Sequence, residues 1–158
     1  MKDLVIIDSG GANIASLVYA LERLGCAAHV SAEPDEIRAA ARVILPGVGA
    51  AADAMTRLAR HGLLDVIPRL TQPLLGICLG MQLLYERSAE GDTACLGVLP
   101  GAARRFIPGP GRPVPHMGWN SLQGLADHPL LAGLAEGDSA YFEHSYALPV
   151  GPDTLARC

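Results

Sequence analysis

Of the four cysteines and five histidines in this chain of 158 residues, one cysteine is set apart by its neighbours. Gly76-Ile77-Cys78-Leu79-Gly80 continues the apolar run that starts at Leu74 and leads into residues of helical character. A strand that turns sharply into a helix crowds any Cβ at the bend, and glycine on both flanks relieves the crowding. The pattern is that of a nucleophile elbow with cysteine in the place of serine. It would put the Cys78 sulfur at a helix N-terminus, where unpaired N–H groups and the positive dipole end favour thiolate over thiol. A small cysteine buried between strand and helix is the competing interpretation; the strand-turn-helix setting favours the nucleophile.

Acyl transfer also needs hydrogen-bond donors where the tetrahedral oxyanion forms. Pro46-Gly47-Val48-Gly49 ends a second apolar run, Val43-Ile44-Leu45, and can aim main-chain N–H groups at a substrate. The natural donor pair is an N–H around Val48 and Gly49 together with the N–H of Leu79. Taken alone, these glycines would describe an ordinary strand-to-helix turn equally well. A thiolate further needs a proton partner, generally a histidine oriented by a third group. His29, His61, His116, His128 and His144 each read as structural or surface residues, and none lies in a His-x-Glu arrangement.

The elements that must hold these residues follow from hydrophobic spacing. Leu4 to Asp8 opens as a continuous apolar run, the mark of a strand buried on both faces in a parallel sheet. After the turn Ser9-Gly10-Gly11, Asn13 can cap a helix with apolar positions Ile14, Leu17, Val18, Leu21 and Leu24, stopped by Gly25. A strand near Ala28 to Val30, a helix opened by Pro34 and Asp35, the Val43 strand, and a helix over Ala51 to Arg60 repeat the alternation. Helical residues around Leu63 to Leu70, the strand Leu74 to Ile77, and a helix from Leu79 to about Arg87 complete it. Beyond Gly91, turns such as Pro108-Gly109-Pro110-Gly111 and the stretch Val114 to Leu122 predict irregular or antiparallel β structure. The whole predicts an α/β fold with a doubly wound, mainly parallel sheet and helices on both faces, in one domain over residues 1–158.

Composition narrows the function class. Half of the residues are hydrophobic and only 18% charged, which argues for a packed core rather than disorder. A net charge of -4 gives no footprint for a polyanion, so nucleic-acid binding is not expected. No apolar run approaches the roughly 18 residues a membrane helix needs, which predicts a cytoplasmic protein with no membrane partner. Neither a Cys-x-x-Cys zinc spacing nor a disulfide scaffold is present, so reduced thiols are expected and no metal or cofactor is called for.

Several of these segments together resemble a known family. Gly76-Ile77-Cys78-Leu79-Gly80-Met81-Gln82 resembles the nucleophile motif of class I, triad-type glutamine amidotransferases, whose fold is flavodoxin-like. Within that class, Pro46-Gly47-Val48-Gly49, Pro115-His116-Met117-Gly118-Trp119-Asn120 and Tyr141-Phe142-Glu143-His144-Ser145-Tyr146 look like the glutaminase subunit of imidazole glycerol phosphate synthases. With Asp8-Ser9-Gly10-Gly11-Ala12-Asn13, the resemblance spans nearly the whole chain. It implies hydrolysis of glutamine to glutamate and ammonia, with ammonia channelled to a (β/α)₈-barrel cyclase subunit in a heterodimer. That subunit makes imidazole glycerol phosphate and AICAR in histidine biosynthesis. Carried over by motif, Cys78 forms the glutamyl thioester and Val48, Gly49 and Leu79 border the oxyanion. Gln82, Ser145 and Tyr146 hold glutamine, and Asn13, Trp119 and Tyr141 lie toward the partner. The structural alternatives are core packing for Trp119 and Tyr141 and an exposed helix position for Gln82.

The chain departs from the family pattern in three places. Family members continue past the residue matching Cys158 to a His-Pro-Glu motif that supplies the triad's histidine and glutamate, so the C-terminal part of the fold is expected to be incomplete. Glu143 replaces a residue usually apolar, and Ala12 stands where many members have glycine; strand alternation can place Glu143 on a solvated face. Two further functions stay open: a non-catalytic module that keeps the fold and docks on a partner, and an amidotransferase subunit for another acceptor. For the 158 residues by themselves, an inactive fragment is expected, because loss of the general base removes on the order of 10⁴ to 10⁶ in rate. Measurable glutamine turnover by this polypeptide alone contradicts that expectation. Uncovered sheet edges and apolar surface would make it aggregate or unfold readily, against which a cooperative melt of a monomer would count.

Overall fold

The computed structural model describes residues 3–158 and divides into two compact units, one reaching to Ala103 and the other Arg104–Cys158. In the first unit β1 (Leu4–Ile7), β2 (His29–Ser31), β3 (Arg42–Gly47) and β4 (Leu74–Cys78) form a parallel sheet in the order β2-β1-β3-β4. The continuous apolar runs have the expected cause: Val5, Ile6 and Ile7 of β1 and Val43, Ile44 and Leu45 of β3 are all buried, so both faces of the central strands are covered.

Three helices link these strands. α1 (Ile14–Arg23) starts where the Asn13 side chain accepts the Ser16 N–H at 3.2 Å, and Gly25 follows it at φ 72. α2 (Pro34–Ala39) has Pro34 in its first turn, where the missing N–H costs nothing. α3 (Ala51–Arg60) has no side-chain cap of its own; the carboxylate of Glu90, far along the chain, accepts the Ala51 N–H at 2.8 Å. Leu58 of α3 joins Ile37, Leu45, Leu63, Ile67 and Leu83 in one buried cluster.

Two predicted helices are shorter than the spacing suggested. Between Leu63 and Leu70 only a single 3-10 turn forms, Ile67–Arg69, because Pro68 has no N–H to give and its ring blocks a continuing α-helix. The helix after Cys78, α4, ends at Leu83, and Tyr85–Ser88 is a strand, β5. β5 pairs antiparallel with β6 (Thr93–Ala94) and parallel with β7 (Leu99–Arg105), with Ser88 opposite Ala103. Tertiary pairing outweighs the helical propensity of Glu86 and Arg87.

In the second unit β8 (His116–Ser121) and β9 (Ser139–His144) pair antiparallel along their full lengths, from His116 opposite His144 to Ser121 opposite Ser139. β10 (Tyr146–Ala147) pairs with Arg105 and Arg104 at the end of β7. Alternation sorts the ribbon into two faces: His116, Gly118, Phe142 and His144 are half-buried, whereas Met117, Trp119, Tyr141 and Glu143 are exposed. Glu143 thus lies on the solvated face, as expected.

The distant cap on α3 can be tested directly. Glu90→Ala in the full-length protein should cost about 1 kcal/mol and lower the thermal midpoint by about 2–4 °C, and Glu90→Gln, which keeps an acceptor oxygen, should recover most of it in calorimetry.

Candidate active site

β3 and β4 end level with each other: Pro46 is opposite Ile77 and Gly47 opposite Cys78. The loop Val48-Gly49-Ala50 and the turn into α4 (Leu79–Leu83) therefore leave the sheet side by side, about 4.8 Å apart at its C-terminal edge. This is the edge at which parallel α/β sheets assemble their sites.

Cys78 occupies φ 53, ψ -118, a backbone conformation that L-residues rarely adopt. Holding it there costs roughly 1–3 kcal/mol and requires surroundings that leave no alternative. Three glycines supply them. A Cβ on Gly80 would sit 1.9 Å from the Leu45 carbonyl oxygen, one on Gly76 would sit 2.5 Å from the Met81 Cα, and one on Gly47 would sit 2.7 Å from the Gly80 nitrogen. The first turn of α4 is thus in backbone-to-backbone contact with both β3 and β4, and the chain at Cys78 must fold outward.

The Cys78 thiol is accordingly exposed and unbridged, not sealed in hydrocarbon. At five residues α4 offers little macrodipole; what it contributes is local, the N–H of Leu79 at the first helical position, which has no intrahelical acceptor. Gly49 is needed for a different reason from the elbow glycines: its φ is 91 and a Cβ there would meet open space, so backbone conformation rather than crowding excludes other residues. Val48 beside it is 48% exposed. Gln82, one turn on from Cys78, is buried, which excludes an exposed helix position for it.

Asn13 follows the β1 turn at the same sheet edge. That turn is braced by Arg57 of α3, whose Nε donates to the Ser9 carbonyl at 2.7 Å while its guanidinium packs over Gly10 and Gly11. Neither Arg57 nor Glu90 was singled out by the sequence motifs, since each acts on a segment distant along the chain.

The remaining candidates belong to the second unit. Ser145 is the bend between β9 and β10, with its carbonyl accepting the Phe106 N–H at 2.9 Å, and Tyr146 opens β10. Trp119 and Tyr141 are cross-strand partners whose rings meet edge-to-face at 5.7 Å. At 73% and 55% exposure they do not fill core in this chain. His116 and His144, which the sequence presents as separate structural or surface residues, are hydrogen-bonded to each other at 3.0 Å.

Among the other thiols, Cys95 is half-buried and burial pushes its pKa up, which keeps it protonated and slow to react. Alkylation with iodoacetamide near neutral pH should therefore modify Cys95 last, with peptide mapping as the readout. Gly80→Ala should destabilise the protein by more than about 3 kcal/mol, while Gly25→Ala, strained in φ but facing open space, should cost about 1 kcal/mol in the same denaturant titration.

The profile of the family described as glutamine amidotransferase class-I matches residues 5–157. The imidazole glycerol phosphate synthase subunit HisH of Xanthomonas campestris pv. campestris (strain 8004) is 57% identical over 158 residues, which is all of this chain and 79% of that protein. HisH of Xylella fastidiosa (strain Temecula1 / ATCC 700964) is 53% identical over the same shares. A crystal structure of a glutamine amidotransferase superposes with TM-score 0.74 at 19% identity, covering 98% of this chain and 79% of that one. This superposition bears on the fold alone, and it agrees with a mainly parallel sheet flanked by helices.

Proposed function

The chain belongs to the class-I glutamine amidotransferase family, and from that premise we propose that it is the glutamine-hydrolysing subunit of an imidazole glycerol phosphate synthase in histidine biosynthesis. The observation that carries the mechanism is the exposed Cys78 thiol at φ 53, level with the Gly47-Val48-Gly49 turn.

The Cys78 thiolate attacks the side-chain carbonyl of glutamine and a C–S bond forms. The carbonyl electron pair moves onto oxygen, where the N–H groups of Leu79 and of the Val48–Gly49 turn stabilise the charge. Collapse of this intermediate breaks the C–N bond, and the nitrogen leaves as ammonia after gaining a proton. Water then cleaves the thioester, giving glutamate and free Cys78. The proton partner implied by the resemblance is the histidine of a His-Pro-Glu motif, which is not among the 158 residues, and no histidine of the chain is assigned that role. Gln82, Ser145 and Tyr146 hold the glutamine.

Ammonia passes to a cyclase subunit with a (β/α)₈ barrel, joined as a heterodimer in the cytoplasm. The exposed Trp119–Tyr141 pair, with Met117 beside it, suits such docking, since exposed aromatic clusters are the usual anchors of interfaces; the family resemblance adds Asn13 as a contact for the partner. A flip of the peptide near Val48 on docking would fit a turn with glycine on either side. Among the described residues no helix is long and apolar enough to cross a membrane.

With the full-length protein and its cyclase subunit, Cys78→Ala should abolish glutamine-dependent synthesis, a loss on the order of 10⁴-fold or more. Synthesis from added ammonium salt should persist; if it disappears as well, Cys78 has a structural role and the assignment fails. Trp119→Ala or Tyr141→Ala should weaken binding to the cyclase about tenfold or more in a titration by calorimetry.

A further inference from the structure

The half-buried face of the β8–β9 ribbon carries a polar group that the chemistry above leaves unused. His116 and His144 are directly opposite each other across the two strands, with His116 Nδ1 and His144 Nε2 3.0 Å apart. The other ring nitrogen of His144, Nδ1, is 3.0 Å from the main-chain oxygen of Tyr146, and the other ring nitrogen of His116, Nε2, is 3.2 Å from Asn120 Nδ2.

With both rings neutral, hydrogen-bond logic assigns every proton in this row. A carbonyl oxygen only accepts, so His144 Nδ1 carries hydrogen and donates to Tyr146. In neutral imidazole the other nitrogen is then an acceptor, so His116 Nδ1 donates to His144 Nε2. His116 Nε2 is left as acceptor, and the Asn120 amide donates to it. The row runs in one direction from Asn120 through both rings to the Tyr146 carbonyl, with no donor facing a donor.

Its surroundings allow little play. The Phe142 ring stacks on His116 at 5.4 Å, and the Phe106 ring meets His144 edge-on at 5.0 Å. The Phe106 N–H in turn donates to the Ser145 carbonyl at 2.9 Å. Ser145 is therefore held on both sides: its own carbonyl by Phe106, and the following carbonyl, that of Tyr146, by the ring of the preceding residue.

We infer that His116 and His144 are positioning residues for glutamine: an aligned imidazole pair that fixes the Tyr146 carbonyl and thereby sets the bend at Ser145 from which the substrate is held. The inference rests on the reading that Ser145 and Tyr146 bind glutamine. His144 acts directly on the bend, and His116 acts through His144 by keeping its Nδ1 protonated and its ring plane fixed.

Steady-state glutaminase kinetics on the full-length protein with its cyclase subunit separate this from a merely structural role. His144→Ala should raise KM for glutamine about tenfold, as loss of one well-placed hydrogen bond does, with kcat changed less than about threefold. His144→Phe, which fills the space between Phe106 and Phe142 but donates nothing, should raise KM equally while keeping the wild-type melt. His144→Asn, whose amide nitrogen takes the place of Nδ1, should restore KM to within about threefold of wild type. His116→Asn should likewise outperform His116→Ala. Wild-type KM in His144→Phe, or a fall in kcat at unchanged KM, overturns the inference. Ser145→Ala is the separate control: if it leaves KM unchanged, the assignment of Ser145 to glutamine fails, whereas a raised KM there with wild-type KM in His144→Phe overturns the positioning role alone.

Discussion

The absence of room for a Cβ between α4 and the two strands beneath it is the constraint on which the first unit depends. With the Gly80 position 1.9 Å from the Leu45 oxygen by any added Cβ, the helix start lies as close to β3 as backbone can. Gly76 and Gly47 remove the two remaining obstacles on β4 and β3. This approach, rather than any single hydrogen bond, holds Cys78 at a positive φ that it would not choose, and directs its sulfur outward. Strain at Cys78 and exposure of its sulfur are two consequences of one packing arrangement. The surrounding aliphatic cluster, with Leu45, Leu79 and Leu83 in it, supplies the stability against which the strain is held.

The parallel sheet extends the same logic to the neighbouring loops. All four strands point the same way, so the turns after β1, β3 and β4 emerge on one edge without any long-range device to gather them. α3 then ties them. It begins directly after the Gly49 turn, its first N–H is held by Glu90 from beyond β5, and Arg57 in its last turn grips the Ser9 carbonyl after β1. A displacement of the β1 turn is thus opposed by the same helix that follows the Gly49 turn. This gives a contiguous structural link between Asn13 and Gly49.

The parts of this arrangement that were legible in the sequence are those written in local spacing. β1, β3 and β4 are continuous apolar runs, α1 carries its own Asn13 cap and Gly25 stop, and the flanking glycines of Cys78 announce the elbow. Nothing local distinguishes Tyr85-Glu86-Arg87-Ser88 from one more turn of the helix that precedes it; its strand conformation is imposed by pairing with β7, which begins more than ten residues later. Glu90, Arg57 and the His116–His144 pair were illegible for a related reason. Each acquires its role from a partner far along the chain, and a lone carboxylate, guanidinium or imidazole carries no mark of which partner it will meet.

The β8–β9 ribbon shows how much can rest on a single register. Pairing Trp119 with Tyr141 and His116 with His144 places the aromatic pair on the exposed face and the imidazole pair on the half-buried one, because side chains alternate along both strands. A slip by one residue in either strand would exchange the faces of that strand, setting an imidazole in solvent and an indole or phenol against Phe106. The exposed face and the half-buried face are therefore specified together. The stacking of Phe142 on His116 and the edge contact of Phe106 with His144 favour the observed register from the buried side, and the Trp119–Tyr141 contact favours it from the exposed side. Phe106 and Phe142 can in this way decide whether either face forms.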